Sequence, residues 1–175
     1  MTPALYWIDC PAPGRLAVGA RPRGGLWLED DLAALRSEGV DTLVCMMVPG
    51  ELPELQLEDE PRLVVEAGMR FAWLPVPDLS PPPDDSIIPL FELLRDELLA
   101  GRTVVAHCRQ GVGRSPMCVA TLLVMLGVPA TEAWSRIQSV RGRDVPDTAA
   151  QGRWVERLER RLSESPIRDN IPTTH

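Results

Sequence analysis

The feature that most constrains this chain is a short run that joins two different kinds of secondary structure. The run His107–Ser115 places a cysteine, Cys108, and an arginine, Arg114, at the two ends of a loop that contains two glycines. The β-branched and apolar residues 103–106 before it indicate a buried strand, and the apolar residues 117–126 after it indicate a helix. A strand, a loop and a helix in this order aim backbone N–H groups at one point, at the positive end of the helix. The sequence therefore predicts a cradle for a phosphate group.

The residues within this loop suit a bound anion and a nucleophile. Gly111 and Gly113 can take positive φ angles and place no Cβ in front of the oxyanions. The planar fork of Arg114 can hold two phosphate oxygens at once, which a lysine cannot do. Cys108 lies beneath the same N–H groups, so its pKa is expected to fall below the ordinary value of about 8.5. The predicted substrate-binding residues are Arg109, Gln110, Gly111, Val112, Gly113 and Arg114.

This pattern resembles the signature of a known family of enzymes. A His-Cys pair, five residues and Arg-Ser, placed between a strand and a helix, is similar to the signature of the cysteine-based protein tyrosine phosphatases, and within them to the small dual-specificity branch. The resemblance covers most of the chain, from a strand near Leu5 to a helix ending near Leu162. It implies a hydrolase of phosphomonoesters that needs neither metal nor cofactor and forms a cysteinyl-phosphate intermediate. The expected substrate is a phosphorylated protein or small molecule, with phosphotyrosine favoured and phosphoserine and phosphothreonine as weaker candidates.

The implied reaction needs a general acid for the leaving oxygen. Asp78 lies upstream of Cys108, at the end of an apolar strand and the start of a proline-rich loop, as the acid does in the family. The alternative is an ordinary turn aspartate, since aspartate beside proline often caps loops. Asp84 and Asp85 follow in the same loop, but they are expected to cap the next helix. In the implied mechanism Cys108 attacks phosphorus, Asp78 protonates the departing oxygen, and its carboxylate then activates water.

Three further residues have expected supporting roles. Ser115 is expected to cap the helix after the loop, and the resemblance adds that its hydroxyl donates to the Cys108 sulfur. His107 is expected to order the loop through hydrogen bonds rather than to act as a base. Gln151 lies in the first turn of a helix that Asp147 is expected to cap. It either orients water near the pocket, as the resemblance implies, or is a solvated surface residue.

Other interpretations of the loop are weaker. A cysteine after a core strand is usually a small buried hydrophobe. A nucleotide-binding P-loop ends in Gly-Lys-Ser/Thr, and this loop contains no lysine. Rhodanese-like sulfurtransferases are similar but typically carry one residue fewer between cysteine and arginine. A phospho-binding module with weak or no catalysis typically lacks the cysteine, the arginine or the acid, whereas Cys108, Arg114 and Asp78 are all present.

Composition limits the class of protein. With 175 residues, 45% of them hydrophobic, the chain is expected to form one catalytic domain over residues 1–162 and a disordered tail over 163–175. Four cysteines do not suggest a disulfide scaffold, which favours the cytoplasm. A net charge of −7 argues against nucleic acid and membrane partners, and a monomer is expected. Cys45 and Cys118 are expected in the core, although either could protect Cys108 from overoxidation by forming a disulfide.

Alternating strand and helix patterns indicate an α/β fold with a central, mostly parallel sheet flanked by helices. The loops at the carboxyl ends of its strands are then expected to form the site. The expected strands are Leu5–Ile8, Leu16–Val18, Thr42–Met46, Arg70–Leu74 and Thr103–His107. The expected helices are 29–38, 58–68, 86–100, 116–126, 131–140 and 148–162.

Overall fold

The fold is organised around one five-stranded sheet in the computed structural model, which describes residues 3–164. In the sheet, the order of the strands is β1-β2-β5-β3-β4. Strand β1 is antiparallel to β2, and the other three neighbouring pairs are parallel, which confirms the prediction of a mostly parallel sheet. The strands are β1 (Leu5–Ile8), β2 (Arg15–Gly19), β3 (Thr42–Cys45), β4 (Arg70–Trp73) and β5 (Thr103–His107).

Helices cover both faces of this sheet. Two of them, α1 and α2, pack through residues such as Leu32 and Val64 on one face, and the others pack on the opposite face. No helix within residues 3–164 combines the length and the apolar character that crossing a bilayer requires. The helices are α1 (Leu28–Ser37), α2 (Glu60–Glu66), α3 (Ile88–Leu99), α4 (Arg114–Met125), α5 (Ala130–Arg141) and α6 (Ala149–Glu164).

The central pair of elements, β5 and α4, explains why the signature loop is held firmly. Every residue of β5 is buried, because β2 and β3 flank it in the sheet and helices cover its faces. Helix α4 is buried from Arg114 to Val124, where it contacts α3, α5 and α6 as well as the sheet. Each large apolar side chain buried in this way contributes roughly 1.5–3 kcal/mol. The loop between β5 and α4 therefore starts and ends in buried, well-packed elements.

The expected cap of α4 is wrong. The helix begins at Arg114, one residue before Ser115, because Gly113 already has helical backbone angles with φ −107° and ψ −76°. No side chain caps this end of the helix. Ser115 therefore lies inside the first turn, where its hydroxyl is available to the loop.

The start and end of α6 also differ from expectation. The helix begins at Ala149, so the residue before it is Thr148 and not Asp147. The Thr148 N–H donates to Gln151 Oε1 at 3.3 Å, and the Gln151 N–H donates to Thr148 Oγ1 at 3.4 Å. This reciprocal capping box satisfies two N–H groups that a helix end would leave free. At the other end α6 continues to Glu164, past the predicted domain boundary at 162, and the rest of the predicted tail lies outside the described residues.

Candidate active site

The signature loop forms the floor of a cavity at the carboxyl end of the central strand. The cavity has a volume of about 260 Å³. It brings together residues from the signature loop, from the loop after β4 and from the segment before α6. The lining residues are Asp78, Leu79, Cys108, Arg109, Gln110, Val112, Gly113, Arg114 and Asp147.

The Cys108 thiol is surrounded by hydrogen-bond donors. Its side chain is nearly fully buried. The Gly111 N–H donates to Sγ at 3.2 Å, and Ser115 Oγ lies 3.3 Å from Sγ. Burial alone would raise the pKa of the Cys108 thiol, but the hydroxyl and N–H of Ser115 and the N–H groups of Gly111 and Gln110 outweigh it and lower the pKa. The arrangement favours a thiolate, which is the nucleophilic form of cysteine.

The Arg114 guanidinium is buried, and both of its terminal nitrogens are hydrogen-bonded within the protein. Its Nη1 and Nη2 donate to Glu51 Oε2 and Oε1 at 2.6 and 2.9 Å, and Nη1 also donates to the Val76 carbonyl at 3.0 Å. Its Nε has no hydrogen-bond partner among residues 3–164. Burying an N–H without a partner costs about 1–3 kcal/mol, so this donor is available for an anion in the cradle.

Glu51 was missed by the sequence reasoning. It ends a short 3₁₀ turn, Pro49–Glu51, just past the carboxyl end of β3. Its Oε2 also accepts from the Val48 N–H at 3.0 Å. The hydrogen bond from Arg114 holds the pKa of the Glu51 carboxyl below its ordinary value, so the pair stays charged in mildly acidic solution. The signal that could have found it is position, because β3 lies beside β5 and the carboxyl ends of parallel strands meet at one edge.

Asp78 reaches the edge of the cradle. Its Oδ1 lies 3.3 Å from Arg114 Nη2 and accepts from the Leu79 N–H at 3.1 Å. The side chain is 60% exposed, so it faces the open mouth of the cavity. Asp84 instead accepts from the Ser86 N–H at 2.8 Å, as expected of a cap, and Asp85 pairs with Arg161. Of the three aspartates, Asp78 is the one that lines the cavity.

The start of α6 holds the loop that carries Asp78. Thr148 Oγ1 donates to the Leu79 carbonyl at 3.1 Å, and Gln151 Nε2 donates to the Ser80 carbonyl at 3.3 Å. Gln151 is fully buried, so the alternative of a solvated surface residue is wrong. It also packs on the signature loop, since a Cβ built on Gly113 would lie 2.9 Å from Gln151 Nε2 and 2.7 Å from Asp147 Oδ2.

Two arginines near the loop have structural partners. Arg109 Nη1 donates to Glu54 Oε2 at 3.0 Å on the exposed rim of the cavity. Arg141 Nε donates to the Gly111 carbonyl at 3.1 Å, and its guanidinium lies 3.9 Å from the centre of the Tyr6 ring. This contact stabilises the turn at Gly111, where φ is +69°. It joins residues that lie 30 positions apart in the chain, so it could not be predicted from local sequence patterns.

The remaining cysteines and His107 lie away from the cavity. All four cysteines are free, and Cys45 and Cys118 are fully buried as expected of core residues. Burial, with a smaller effect of the charge of Cys108, raises the pKa of the Cys118 thiol. The disulfide that was considered for either residue stays a prediction. His107 is fully buried and its Nε2 lies 2.8 Å from Glu60 Oε1, so its side chain does not contribute to the cavity.

Comparison with known proteins identifies relatives of this chain. Residues 18–128 match the model of a family described as Tc-R-P, a DSP-PTPase phosphatase of polymorphic toxin systems. The chain is also 25% identical over 138 residues to cyclin-dependent kinase inhibitor 3 of Rattus norvegicus. That match covers 78% of this chain and 65% of the relative, so the chain spans slightly less than two thirds of the relative's length.

Solved structures share the fold. A kinase associated phosphatase, with its catalytic cysteine replaced by serine, superposes with a TM-score of 0.83 at 21% identity, covering 95% of this chain and 99% of the other. The active form of Tk-PTP gives a TM-score of 0.72 at 23% identity, covering 90% and 97%. At these identities the likeness concerns the fold, and it extends over nearly the whole length of both neighbours.

Proposed function

Because this chain belongs to the DSP-PTPase phosphatase family of polymorphic toxin systems, we propose that it hydrolyses phosphomonoesters on proteins through a cysteinyl-phosphate intermediate. The observation that carries the proposal is one cavity that joins three groups. These are the thiol of Cys108 with its lowered pKa, the buried guanidinium of Arg114 and the exposed carboxyl of Asp78. A sulfurtransferase would need no acid for an oxygen leaving group, so Asp78 favours phosphate chemistry.

The first step transfers the phosphoryl group to sulfur. The Cys108 thiolate attacks phosphorus, the S–P bond forms, and the bond to the substrate oxygen breaks. The loop N–H groups and Arg114 Nε donate to the equatorial oxygens, where charge is held in the transition state. Asp78 gives its proton to the departing oxygen, which leaves as a phenol or an alcohol.

The second step returns the enzyme to its starting state. The Asp78 carboxylate takes a proton from water, the water oxygen attacks phosphorus, and the S–P bond breaks to release inorganic phosphate and the thiolate. Ser115, 3.3 Å from Sγ, donates to the leaving sulfur. Gln151 remains a candidate for orienting this water. Its packing on Gly113 supports that role, and its amide also binds the Thr148 N–H and the Ser80 carbonyl. No metal or cofactor takes part in either step.

The proposed substrate is a phosphorylated protein met in the cytoplasm by a monomeric enzyme. A relative named for inhibiting a cyclin-dependent kinase and a neighbour named as a kinase associated phosphatase support a protein substrate. The cavity wall carries the carboxyls of Asp78 and Asp147 beside the guanidinium groups of Arg109 and Arg114. Two carboxyls beside two guanidinium groups leave no excess of positive charge for a polyphosphorylated lipid headgroup, which favours a single phosphate on a polypeptide.

Phosphate release from p-nitrophenyl phosphate and from a phosphopeptide panel tests the proposal. We expect no turnover with Cys108→Ser and about a hundredfold loss of kcat with Asp78→Asn. Asp84→Asn is the matched control, because Asp84 lies in the same loop and caps Ser86, and it should keep wild-type activity. If the wild-type protein binds phosphopeptides but releases no phosphate, the proposal is wrong and the protein is a phospho-binding module. Sulfur transfer from thiosulfate to cyanide would replace it by a rhodanese-like activity.

A further inference from the structure

Three polar side chains form a buried cluster beneath the signature loop. Cys45 ends β3, Glu60 begins α2 and His107 ends β5, and all three are fully buried. Their sulfur, carboxylate and imidazole atoms lie within 4.8 Å of one another. Cys45 packs with the core on the α1 and α2 side of the sheet, whereas Cys108 packs with the core on the other side. The proposed mechanism uses none of the three side chains.

The contact between Glu60 and His107 has the character of an ion pair. Glu60 Oε1 lies 2.8 Å from His107 Nε2. Yet neither imidazole nitrogen and neither carboxylate oxygen has an aligned hydrogen-bond partner within the described part of the chain. The 2.8 Å contact therefore joins two buried groups that rely on each other. A carboxylate facing an imidazolium adds the attraction of opposite charges, which is stronger in a buried site than in water.

The surroundings of His107 support its positive charge. Burial lowers the pKa of the imidazole, but the carboxylate of Glu60, with a smaller effect of Cys45, outweighs burial and raises the pKa well above its ordinary value. Glu60 faces His107 from α2 and Cys45 faces it from β3. On β2 the residue paired with His107 is Gly19, which has no charge.

We propose that Glu60 is a positioning residue, which holds His107 as an imidazolium and thereby fixes the start of the catalytic loop. This inference rests on the proposed catalytic role of Cys108, the next residue along the chain. The His107 carbonyl accepts from the Met46 N–H at 3.0 Å, so backbone and side chain together anchor the last residue of β5. The pair joins the last residue of β5 to α2. Loosening this anchor would misplace the loop N–H groups of Gln110 and Gly111 that stabilise the Cys108 thiolate.

The charge of His107 can be measured without any activity assay. The chain has two histidines, so His175→Asn leaves a single imidazole signal. We expect nitrogen NMR shifts of a doubly protonated ring from pH 6 to above pH 8, beyond the ordinary pKa of about 6.5. A neutral ring at pH 7 would overturn the proposal. Metal content is measured on the same sample, because stoichiometric zinc on these three side chains would require a neutral imidazole and would also overturn it.

Glu60→Gln then tests the link to Cys108. We expect the pH midpoint of Cys108 alkylation by iodoacetamide to rise by about half a unit. We also expect kcat to fall about tenfold with KM within about twofold, and Glu60→Asp to recover part of the loss. Glu66→Gln is the control, because Glu66 ends the same helix and forms an exposed pair with Arg62.

The outcomes separate positioning from a purely structural role. A lower melting temperature with an unchanged alkylation midpoint and unchanged kcat would show that Glu60 only fills the core, which overturns the proposal. If Glu60→Gln does not fold, the imidazole signal of the protein carrying only His175→Asn decides the question. If the wild-type protein itself has no phosphatase activity, the proposed function fails. The NMR and alkylation results would still report on the pair.

Discussion

At the scale of single residues, Arg114 both anchors itself in the fold and leaves one N–H group unpaired within the described residues. Its terminal nitrogens are committed to Glu51 and to the Val76 carbonyl, so its conformation is fixed before a substrate binds. Its Nε has no partner among residues 3–164, and in the proposed mechanism it donates to the phosphate. Arginine has five N–H donors in a rigid fork, which allows both tasks at once. Fixing the side chain in advance also removes an entropy cost from the transition state.

Replacing Arg114 with lysine should therefore fail although the charge is kept. We expect Arg114→Lys to lower kcat/KM for p-nitrophenyl phosphate about a hundredfold, because one ammonium cannot bind Glu51 and the phosphate oxygens together. Arg62→Lys is the control, since Arg62 lies on the exposed side of α2 and pairs with Glu66, and it should stay within about threefold of wild type. Equal losses in the two variants would contradict the distinct role of Arg114.

The hydroxyl of Ser115 should set the reactivity of Cys108. We expect Ser115→Ala to raise the pH midpoint of Cys108 alkylation by about one unit, because the thiolate loses one of its donors. Peptide mapping after alkylation at pH 6 should find label on Cys108 in the wild type. It should find none on Cys10 or Cys118, whose pKa values are raised mainly by burial.

Ser163→Ala provides the control for Ser115→Ala. Ser163 donates to a backbone carbonyl on the exposed side of α6, so its removal should leave the midpoint unchanged. An unchanged midpoint in Ser115→Ala as well would show that the backbone N–H groups alone stabilise the thiolate.

At the scale of elements, the site depends on how α6 meets two loops. Thr148 and Gln151 cap their own helix and also bind the carbonyls of Leu79 and Ser80. The same helix start packs against Gly113 at the end of the signature loop. Leu79 has φ +59°, an unfavourable angle for leucine, which these contacts help to hold. One helix end thus contacts both the loop that carries Asp78 and the loop that carries Cys108.

Gly113→Ala should disturb this junction. The added Cβ would lie 2.7 Å from Asp147 Oδ2 and 2.9 Å from Gln151 Nε2, so the ends of these two side chains must shift. The shift of Gln151 would disturb its hydrogen bonds to the Thr148 N–H and the Ser80 carbonyl. We expect a loss of about 1–3 kcal/mol in the free energy of unfolding and at least a tenfold fall in kcat/KM. Gly152→Ala is the control within α6, because its Cβ would meet Pro146 at an ordinary 3.8 Å. Denaturant unfolding and steady-state kinetics measure both effects, and a fully active Gly113→Ala protein would contradict the tight packing.

The elements themselves were predictable, but several contacts between them were not. Strands such as Thr103–His107 follow from short β-branched runs, and α4 follows from a long apolar run that ends before Gly127. Cys108, Arg114 and Asp78 could be found because the chemistry of the loop fixes their spacing or their place after a strand. Glu51 could not be singled out, because its role depends on β3 lying beside β5. The prediction that Ser115 caps α4 was wrong, because Gly113 precedes the first helical residue and no side chain caps this end.

At the scale of the whole molecule, the sheet separates Cys108 from the pair of Glu60 and His107. The Cys108 thiol, whose pKa is lowered, lies in the core on the α3 to α6 side, and the pair, which we propose to be charged, lies on the α1 and α2 side. Charges buried in this way are expensive unless they are paired. The stability of the whole fold should therefore depend on pH through the pair, even though His107 does not touch the substrate.

The sign of this dependence follows from the raised pKa of His107 in the folded protein. Its contribution is complete below the unfolded value of about 6.5 and is lost as pH rises through the higher folded value. Glu60→Gln removes one partner of a buried pair, which typically costs about 3–5 kcal/mol. We expect the difference in unfolding free energy between wild type and Glu60→Gln to be largest near pH 6 and to shrink above neutrality. Urea unfolding between about pH 5.5 and 9 measures it. Glu66→Gln should show a small difference throughout that range, and a wild-type advantage that grows with pH would mean that His107 is neutral when folded.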